Sequence, residues 1–201
     1  YTMFLSASEL DHAQEILSTL LNGLIDHTRP PFVISRTAGD AVISYAVGRT
    51  SLLGQTFVEI LEDTYVAFRR SIELMVLNNN CKCAACSHVS ALDLKFFVHY
   101  GTFARQTLGA HVELVGSDVN LIHRLLKNSI VEDTGFRAYV VYTSAGVDAP
   151  GLADMTSAMT PHQESYDHLG AVDLFVQDVH PVWETRGAET DVDIAPGEVL
   201  V

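Results

Sequence analysis

Apolar residues recur at helical spacing in two long segments of the chain. The first segment follows a capping-box pattern from Ser6 to Glu9 and ends before Pro30, and the second ends at the asparagines that begin with Asn78. In both segments, apolar residues three and four positions apart can bury one face of a helix. They are Leu10, Ala13, Ile16, Leu17, Leu20, Leu21, Leu24 and Ile25 in the first segment, and Phe57, Ile60, Leu61, Phe68, Ile72 and Met75 in the second. The spacing predicts two amphipathic helices.

Shorter runs of β-favouring residues predict the strands. Between Phe32 and Tyr45 such residues flank Thr37-Ala38-Gly39-Asp40, which predicts a hairpin with Gly39 in the turn and Asp40 at or just past its tip. Further strands are predicted over residues 91–100, 102–106, 111–115, 138–143 and 171–178, and a short helix near residues 152–159. The order of these elements predicts an α+β sandwich, in which helices cover a sheet.

A third amphipathic helix is predicted over the segment GSDVNLIHRLLK, residues 116–127. Ser117 is the expected N-cap, and apolar residues line one side of the helix. Asn120 and Arg124 are four residues apart and therefore share a face. An uncharged donor beside a fixed cation suits a phosphate whose charge is changing. From this helix alone, the pair is more typical of an ordinary surface helix whose polar face meets only water.

Length, charge and hydropathy restrict the function classes. The 201 residues are enough for one domain, which we place at residues 1–184, followed by an acidic tail or linker at residues 185–201. With 12 basic and 25 acidic residues the net charge is −13, which argues against nonspecific binding of nucleic acid. No apolar run reaches about 18 residues, so no membrane span is expected.

The three cysteines are concentrated in one short segment, CKCAAC. Cys81, Cys83 and Cys86 are followed by His88, and thiolates with a neutral imidazole are the usual ligands of structural Zn²⁺. Four ligands within eight residues is a tight arrangement, so the fourth ligand could also come from elsewhere in the chain or from a second subunit. The alternative is a loop of reduced thiols, as is usual in a cytoplasmic protein.

The predicted hairpin with Asp40 and the predicted helix at residues 116–127 together resemble the catalytic domain of the class III nucleotidyl cyclases, the adenylate and guanylate cyclase family. In that family a hairpin carries Lys-x-x-Gly-Asp or a variant, and a later helix carries Gly-x-x-Val-Asn-x-x-x-Arg. The matching segments here are Arg36-Thr37-Ala38-Gly39-Asp40 and residues 116–124, and the strand FFVHYG resembles the central strand of the family. The chain looks closest to a bacterial branch with a CxCxxC run before that strand.

The resemblance implies a ferredoxin-like core, whose hairpin lies centrally beside the strand at residues 92–100, and a two-metal reaction. In the family two Asp residues hold Mg²⁺ or Mn²⁺, and Asp40 matches one of them. Asn120 matches the residue that orients the ribose, and Arg124 the one that stabilises the transition state. Arg36 and Glu113 fall at the positions that read the nucleobase. The site is built across a homodimer interface.

The first metal-binding Asp of the family has no candidate among the 201 residues. The chain opens on Tyr1-Thr2-Met3-Phe4, which matches only the end of the corresponding motif, so we expect the first strand and this Asp to lie upstream. Three functions therefore stay open. The domain could be an active cyclase in bacterial signalling, a degenerate cyclase fold that binds a nucleotide without turnover, or a zinc- or redox-responsive interaction domain.

Overall fold

The two long helices predicted by the apolar spacing are present. The structure is a computed structural model that describes residues 10–47, 54–109 and 111–187. Helix α1 spans Leu10–Thr28 and helix α2 spans Gln55–Leu77. They pack against each other through a buried cluster of Leu20, Phe68, Ile72 and Val89.

Eight strands form three sheets in the described part of the chain. They are β1 Val33–Ala38, β2 Ala41–Tyr45, β3 Lys95–Val98, β4 Ala104–Leu108, β5 His111–Val115, β6 Tyr139–Thr143, β7 Thr160–Tyr166 and β8 Gly170–Asp178. Strands β1–β2 and β4–β5 form antiparallel hairpins. The largest sheet has the order β3-β6-β8-β7, in which β3 and β6 are parallel and the other pairs antiparallel.

Short helices join these strands. They are α3 Ala84–His88, α4 Ser117–Leu125, α5 Ile130–Thr134, α6 Ser144–Asp148 and α7 His180–Arg186, with 3-10 turns at Val89–Ala91 and Ala153–Ala158. None of the helices in the described ranges has the length and apolar character needed to cross a membrane.

Strand β6 is the centre of the molecule, and every residue of it is buried. Alternate side chains of a strand point to opposite faces of its sheet, so a strand covered on both faces is apolar throughout. Val140 and Tyr142 pack with α2, whereas Tyr139 and Val141 pack with α4 and α5. Helices on both faces of one sheet confirm the mixed α and β class expected from the sequence.

The structure corrects three local expectations. The hairpin of Asp40 was expected beside the strand at residues 92–100, but it forms a two-stranded sheet of its own that packs against α1 and β5. Strand β3 begins only at Lys95, because a 3-10 turn occupies Val89–Ala91. Ser117 is the first helical residue of α4, and Gly116 occupies the cap position with φ +150°.

Some expectations concern residues outside the described ranges. The capping-box pattern of residues 6–9 and the partial motif at residues 1–4 belong to this group. The proposed tail begins at Thr185, which the structure places inside α7, while residues 188–201 are again outside the described part. The tail therefore stays a prediction.

Candidate functional site

A groove between the first hairpin and β5 contains two of the predicted site residues. Arg36 on β1 and Glu113 on β5 face each other, with 3.5 Å between Arg36 Nη1 and Glu113 Oε1. The second guanidinium nitrogen, Nη2, lies 3.1 Å from Nε2 of His123 on α4. A guanidinium can only donate, so His123 Nε2 is the acceptor in this contact. Three separate elements thus meet at Arg36.

The groove has a volume of about 290 Å³. Its walls come from β1, β2 and β5, and its lining combines apolar side chains with the Arg36–Glu113 pair. The lining residues are Ile34, Ser35, Arg36, Tyr45, Val112, Glu113 and Leu114. Apolar walls with a few convergent polar groups are typical of small-molecule sites. Because both charged side chains are about two-fifths exposed, a ligand can reach them from solvent.

Asn120 and Arg124 lie on α4, as predicted, and both are exposed. Positions i, i+3 and i+4 share one helix face, so Asn120, His123 and Arg124 lie on the same side of α4. His123 contacts Arg36, which turns this side of the helix towards the groove. The side chains of Asn120 and Arg124 form no hydrogen bond or ion pair with the residues that the structure describes.

The start of α4 is held by Asp118. Its Oδ2 accepts the backbone N–H of Thr102 at 2.6 Å and the Thr102 hydroxyl at 3.2 Å. Its Oδ1 lies 3.4 Å from Nε2 of the half-buried His99, without the alignment of a good hydrogen bond. The Thr102 N–H holds the pKa of Asp118 below its ordinary value, aided by His99 and opposed by partial burial. On its other side, His99 Nδ1 lies 2.8 Å from Oγ1 of Thr143, at the end of β6.

Gly101 makes the contact between Thr102 and Asp118 possible. A Cβ atom at Gly101 would collide with the carboxylate of Asp118. The close approach of the backbone to that carboxylate therefore requires glycine at this position. The network ties the ends of β3 and β6 to the first turn of α4, and so fixes the helix that carries Asn120 and Arg124.

Asp40 lies where the sequence places it, in the turn of the first hairpin. Strand β1 ends at Ala38, Gly39 takes the positive φ of +63°, and β2 begins at Ala41. The Asp40 side chain is exposed. Within the described ranges it belongs to no group of three or more candidate metal ligands.

The cysteines do converge, and an imidazole joins them. One ligand atom each from His12, Cys81, Cys83 and Cys86 lie within 4.8 Å of one another. The distances from His12 Nδ1 to the three sulfurs are 3.3 Å for Cys83, 3.6 Å for Cys81 and 3.7 Å for Cys86. None of the three thiols forms a disulfide. This thiol–imidazole group could hold a metal ion such as zinc.

His88, the expected fourth ligand, is not part of the group. Its Nδ1 lies 2.7 Å from the carbonyl oxygen of Ala84, one turn back along α3. This contact turns the ring along its own helix and away from the sulfurs. The imidazole comes instead from His12 in the first turn of α1, about seventy residues away in the sequence.

The sulfurs differ in their surroundings. Cys83 caps α3, and its sulfur accepts the backbone N–H of Cys86 at 3.5 Å. That contact, followed by the one with His12, lowers the pKa of Cys83 to about 7. Burial, followed by the neighbouring Cys83, raises the pKa of Cys86 to about 11. Cys83 therefore becomes a thiolate more readily than Cys86 does.

Comparison with known proteins assigns a family. The model of a family described as a protein of unknown function, DUF2652, matches residues 17–134. The chain therefore belongs to the DUF2652 family. It is also similar to the uncharacterized protein Rv2561/Rv2562 of Mycobacterium tuberculosis (strain ATCC 25618 / H37Rv), with 29% identity over 174 residues that cover 82% of this chain and 76% of that protein. No solved structure matches the chain.

Proposed function

We propose that this chain is a nucleotidyl cyclase-like domain. It would convert a nucleoside triphosphate to a 3′,5′-cyclic nucleotide with two divalent metal ions at a homodimer interface, in a ferredoxin-like core of the cyclase type. The observation that carries the proposal is the convergence of Arg36, Glu113 and His123. It brings the polar face of α4 to the groove formed by β1, β2 and β5.

The groove suits a nucleobase. Its apolar walls can cover the faces of a planar ring, and Arg36 and Glu113 offer a donor and an acceptor at its edge. In the present arrangement these two groups are paired with each other at 3.5 Å, which is a weak contact between exposed side chains. A nucleobase could therefore replace the Arg36–Glu113 contact at little cost in free energy. Arg36 is a wider donor than Lys, so base selectivity need not follow the cyclases that carry Lys at this position.

The polar face of α4 suits the sugar and the phosphates. Asn120 can bind the ribose, and Arg124 can neutralise charge that develops as the reaction proceeds. In the reaction the ribose 3′-oxygen attacks the α-phosphorus, the bond from that phosphorus to the β-phosphate oxygen breaks, and pyrophosphate leaves. The proton of the 3′-hydroxyl passes to solvent. The roles of Asn120 and Arg124 are to position the ribose and to stabilise the transferring phosphoryl group.

Magnesium or manganese would polarise the 3′-hydroxyl and the phosphates in such a reaction. Asp40 is the candidate ligand on the first hairpin, but among the described residues it belongs to no group of three or more candidate metal ligands. The described residues therefore do not form a complete two-metal centre, and the proposal requires the second Asp expected from the resemblance. It also requires Asp40 of one protomer to approach Arg124 of its partner.

The test is turnover by the full-length natural protein with each of the four triphosphates and with Mn²⁺ or Mg²⁺, followed by mass spectrometry of the products. Asp40→Ala should abolish turnover. Arg124→Ala should lower kcat by roughly 10²–10³-fold, about 3–4 kcal/mol, with a smaller effect on KM. Matched controls are Asp167→Ala, at the tip of the β7–β8 hairpin, and Arg137→Ala, which changes another exposed arginine. Both should leave turnover unchanged.

The alternative is a degenerate cyclase fold that binds a nucleotide, or zinc, as a regulatory module. Asp40 is exposed and has no ion-pair partner among the described residues, which favours this alternative, because an isolated carboxylate holds a divalent ion poorly. Nucleotide binding that depends on Arg36 and Glu113, without product from any triphosphate, would establish this alternative. Absence of turnover, of nucleotide binding and of zinc binding would refute both forms of the proposal.

A further inference from the structure

We propose that the thiol–imidazole group of His12, Cys81, Cys83 and Cys86 is a closed, structural Zn²⁺ site that fastens helix α1 to the connection between α2 and β3. This inference is independent of any cyclase activity. It rests on the geometry of the ligand atoms, on their chemistry, and on the elements that they join.

The distances between the nitrogen and the sulfurs match those of a tetrahedral site. With a Zn–S distance of about 2.3 Å and a Zn–N distance of about 2.0 Å, a regular tetrahedron places nitrogen and sulfur ligands roughly 3.5 Å apart. The three distances from His12 Nδ1 to the sulfurs are 3.3, 3.6 and 3.7 Å. The sulfurs are not joined in a disulfide, so all three can bind as thiolates.

The donor set selects the metal. Three thiolates with one imidazole are soft and borderline ligands, which Zn²⁺ accepts in tetrahedral geometry and which Mg²⁺ and Ca²⁺ reject. Four protein ligands leave no open position for water or substrate, so the site is structural. The backbone N–H groups of Cys83 and Cys86 already point at the sulfurs of Cys81 and Cys83, each at 3.5 Å. Such outer contacts orient thiolate ligands and stabilise their charge.

The ligands come from two distant parts of the chain. His12 lies in the first turn of α1, and the cysteines lie just before and within α3. Helices α1 and α2 already share the buried cluster of Leu20, Phe68, Ile72 and Val89. A metal ion would add a second attachment at the N-terminal end of α1, where its first turn meets α3. It would thus fix the angle between α1 and the rest of the domain.

The first test is metal content and its dependence on the two histidines. Purified protein should contain one zinc per chain by elemental analysis, and Co²⁺ in its place should give the intense visible bands of tetrahedral thiolate coordination. His12→Ala should weaken Zn²⁺ affinity by at least about 100-fold, the upper end of what loss of an outer-shell partner costs. His88→Ala is the matched control, and it should keep one zinc per chain with unchanged affinity.

A second variant guards against loss of folding. If His12→Ala cannot be purified, His12→Cys should restore one zinc per chain with four sulfur ligands, which shifts the Co²⁺ spectrum. Removal of zinc by a chelator should speed amide hydrogen exchange in the first turns of α1 and in α3, and leave β6 protected. The proposal is overturned if the protein holds no stoichiometric metal, if His88→Ala releases zinc while His12→Ala retains it, or if the cysteines are found as a disulfide.

Discussion

Replacement of Asp118 tests whether one carboxylate fixes the start of α4. Asp118→Ala removes the acceptor of the Thr102 backbone N–H at 2.6 Å and of the Thr102 hydroxyl at 3.2 Å, and the partner of His99 at 3.4 Å. The N–H of Thr102 would then rely on water. The substitution leaves the apolar contacts of α4 intact, so its effect reports the polar network.

The expected loss of stability follows from the hydrogen bond that the Thr102 N–H donates to Asp118. A hydrogen bond to a charged group contributes about 1.5–3 kcal/mol to stability. The Asp118 side chain is 32% exposed, so water can replace part of what is lost. We therefore expect Asp118→Ala to lower the free energy of unfolding by about 2 kcal/mol. Asp118→Asn keeps a neutral acceptor for Thr102, and about 1 kcal/mol should be lost.

The stability that Asp118 contributes should depend on pH, and the direction of this dependence follows from its pKa. The contacts hold the pKa of Asp118 below its value in the unfolded chain, which is about 3.9 for Asp. The folded state therefore binds the proton less readily than the unfolded state does. The stability contributed by Asp118 is fully present at pH values above its pKa in the unfolded chain. It is lost as the pH falls through its pKa in the folded protein. The difference between the natural protein and Asp118→Asn should be constant near neutral pH and shrink below about pH 4.

Urea unfolding followed by circular dichroism at several pH values would measure these differences, provided that unfolding is two-state. The control is Asp154→Ala, which removes an exposed carboxylate from the 3-10 turn at Ala153–Ala158 and should change stability by less than about 0.5 kcal/mol. A loss below about 0.5 kcal/mol for Asp118→Ala would show that Asp118 does not hold α4. The same conclusion would follow if the difference in stability between the natural protein and Asp118→Asn grew as the pH fell.

Three further substitutions test the packing around the site by the same measurement. Gly101→Ala forces a Cβ atom against the Asp118 carboxylate and should cost about 1–3 kcal/mol; an effect near zero would mean that the loop moves freely. Leu125→Ala empties a fully buried position of α4 and should cost about 2–5 kcal/mol, whereas Leu126→Ala, at a position that is 43% exposed, should cost far less. Equal losses would contradict the assigned core face. Thr143→Val removes the hydroxyl that caps α6 at Gly146 and contacts His99, and should cost about 1–2 kcal/mol; a stable variant would show that neither contact matters.

The elements with strong local patterns could be predicted from the sequence. The apolar spacing of α1 and α2 and the Gly39 turn are local signals, and the structure confirms them. Strand β7 has no such signal, because it is an edge strand that contains Pro161 and alternates exposed polar residues with half-buried ones. Polar edge strands are decided by their partner, here β8, and not by their own composition.

At the thiol–imidazole group and the groove, too, local motifs could be predicted and contacts between distant segments could not. The cysteine cluster was visible as a motif, but its fourth member was not, since His12 and Cys83 are seventy-one residues apart and no periodicity connects them. His123 lies next to Arg124 in the sequence, and its contact with Arg36 depends on how α4 packs. Arg36 and Glu113 were paired by resemblance alone, because strands from separate hairpins carry them. Contacts made by tertiary packing leave no trace in local sequence.

The parallel pairing of β3 with β6 has a consequence for the order of folding. Strands β7 and β8 meet across the short turn between Tyr166 and Gly170, whereas Lys95 finds Tyr139 only after the whole intervening chain has turned back. Local hairpins close in microseconds, and contacts between distant parts of a chain form later because they must first overcome loop-closure entropy. We therefore expect β7 and β8 to pair first, and the pairing of β3 with β6 to form later. Arg36 and Glu113 are 77 residues apart in the sequence, so we expect the groove and its polar groups to come together only in these later steps of folding.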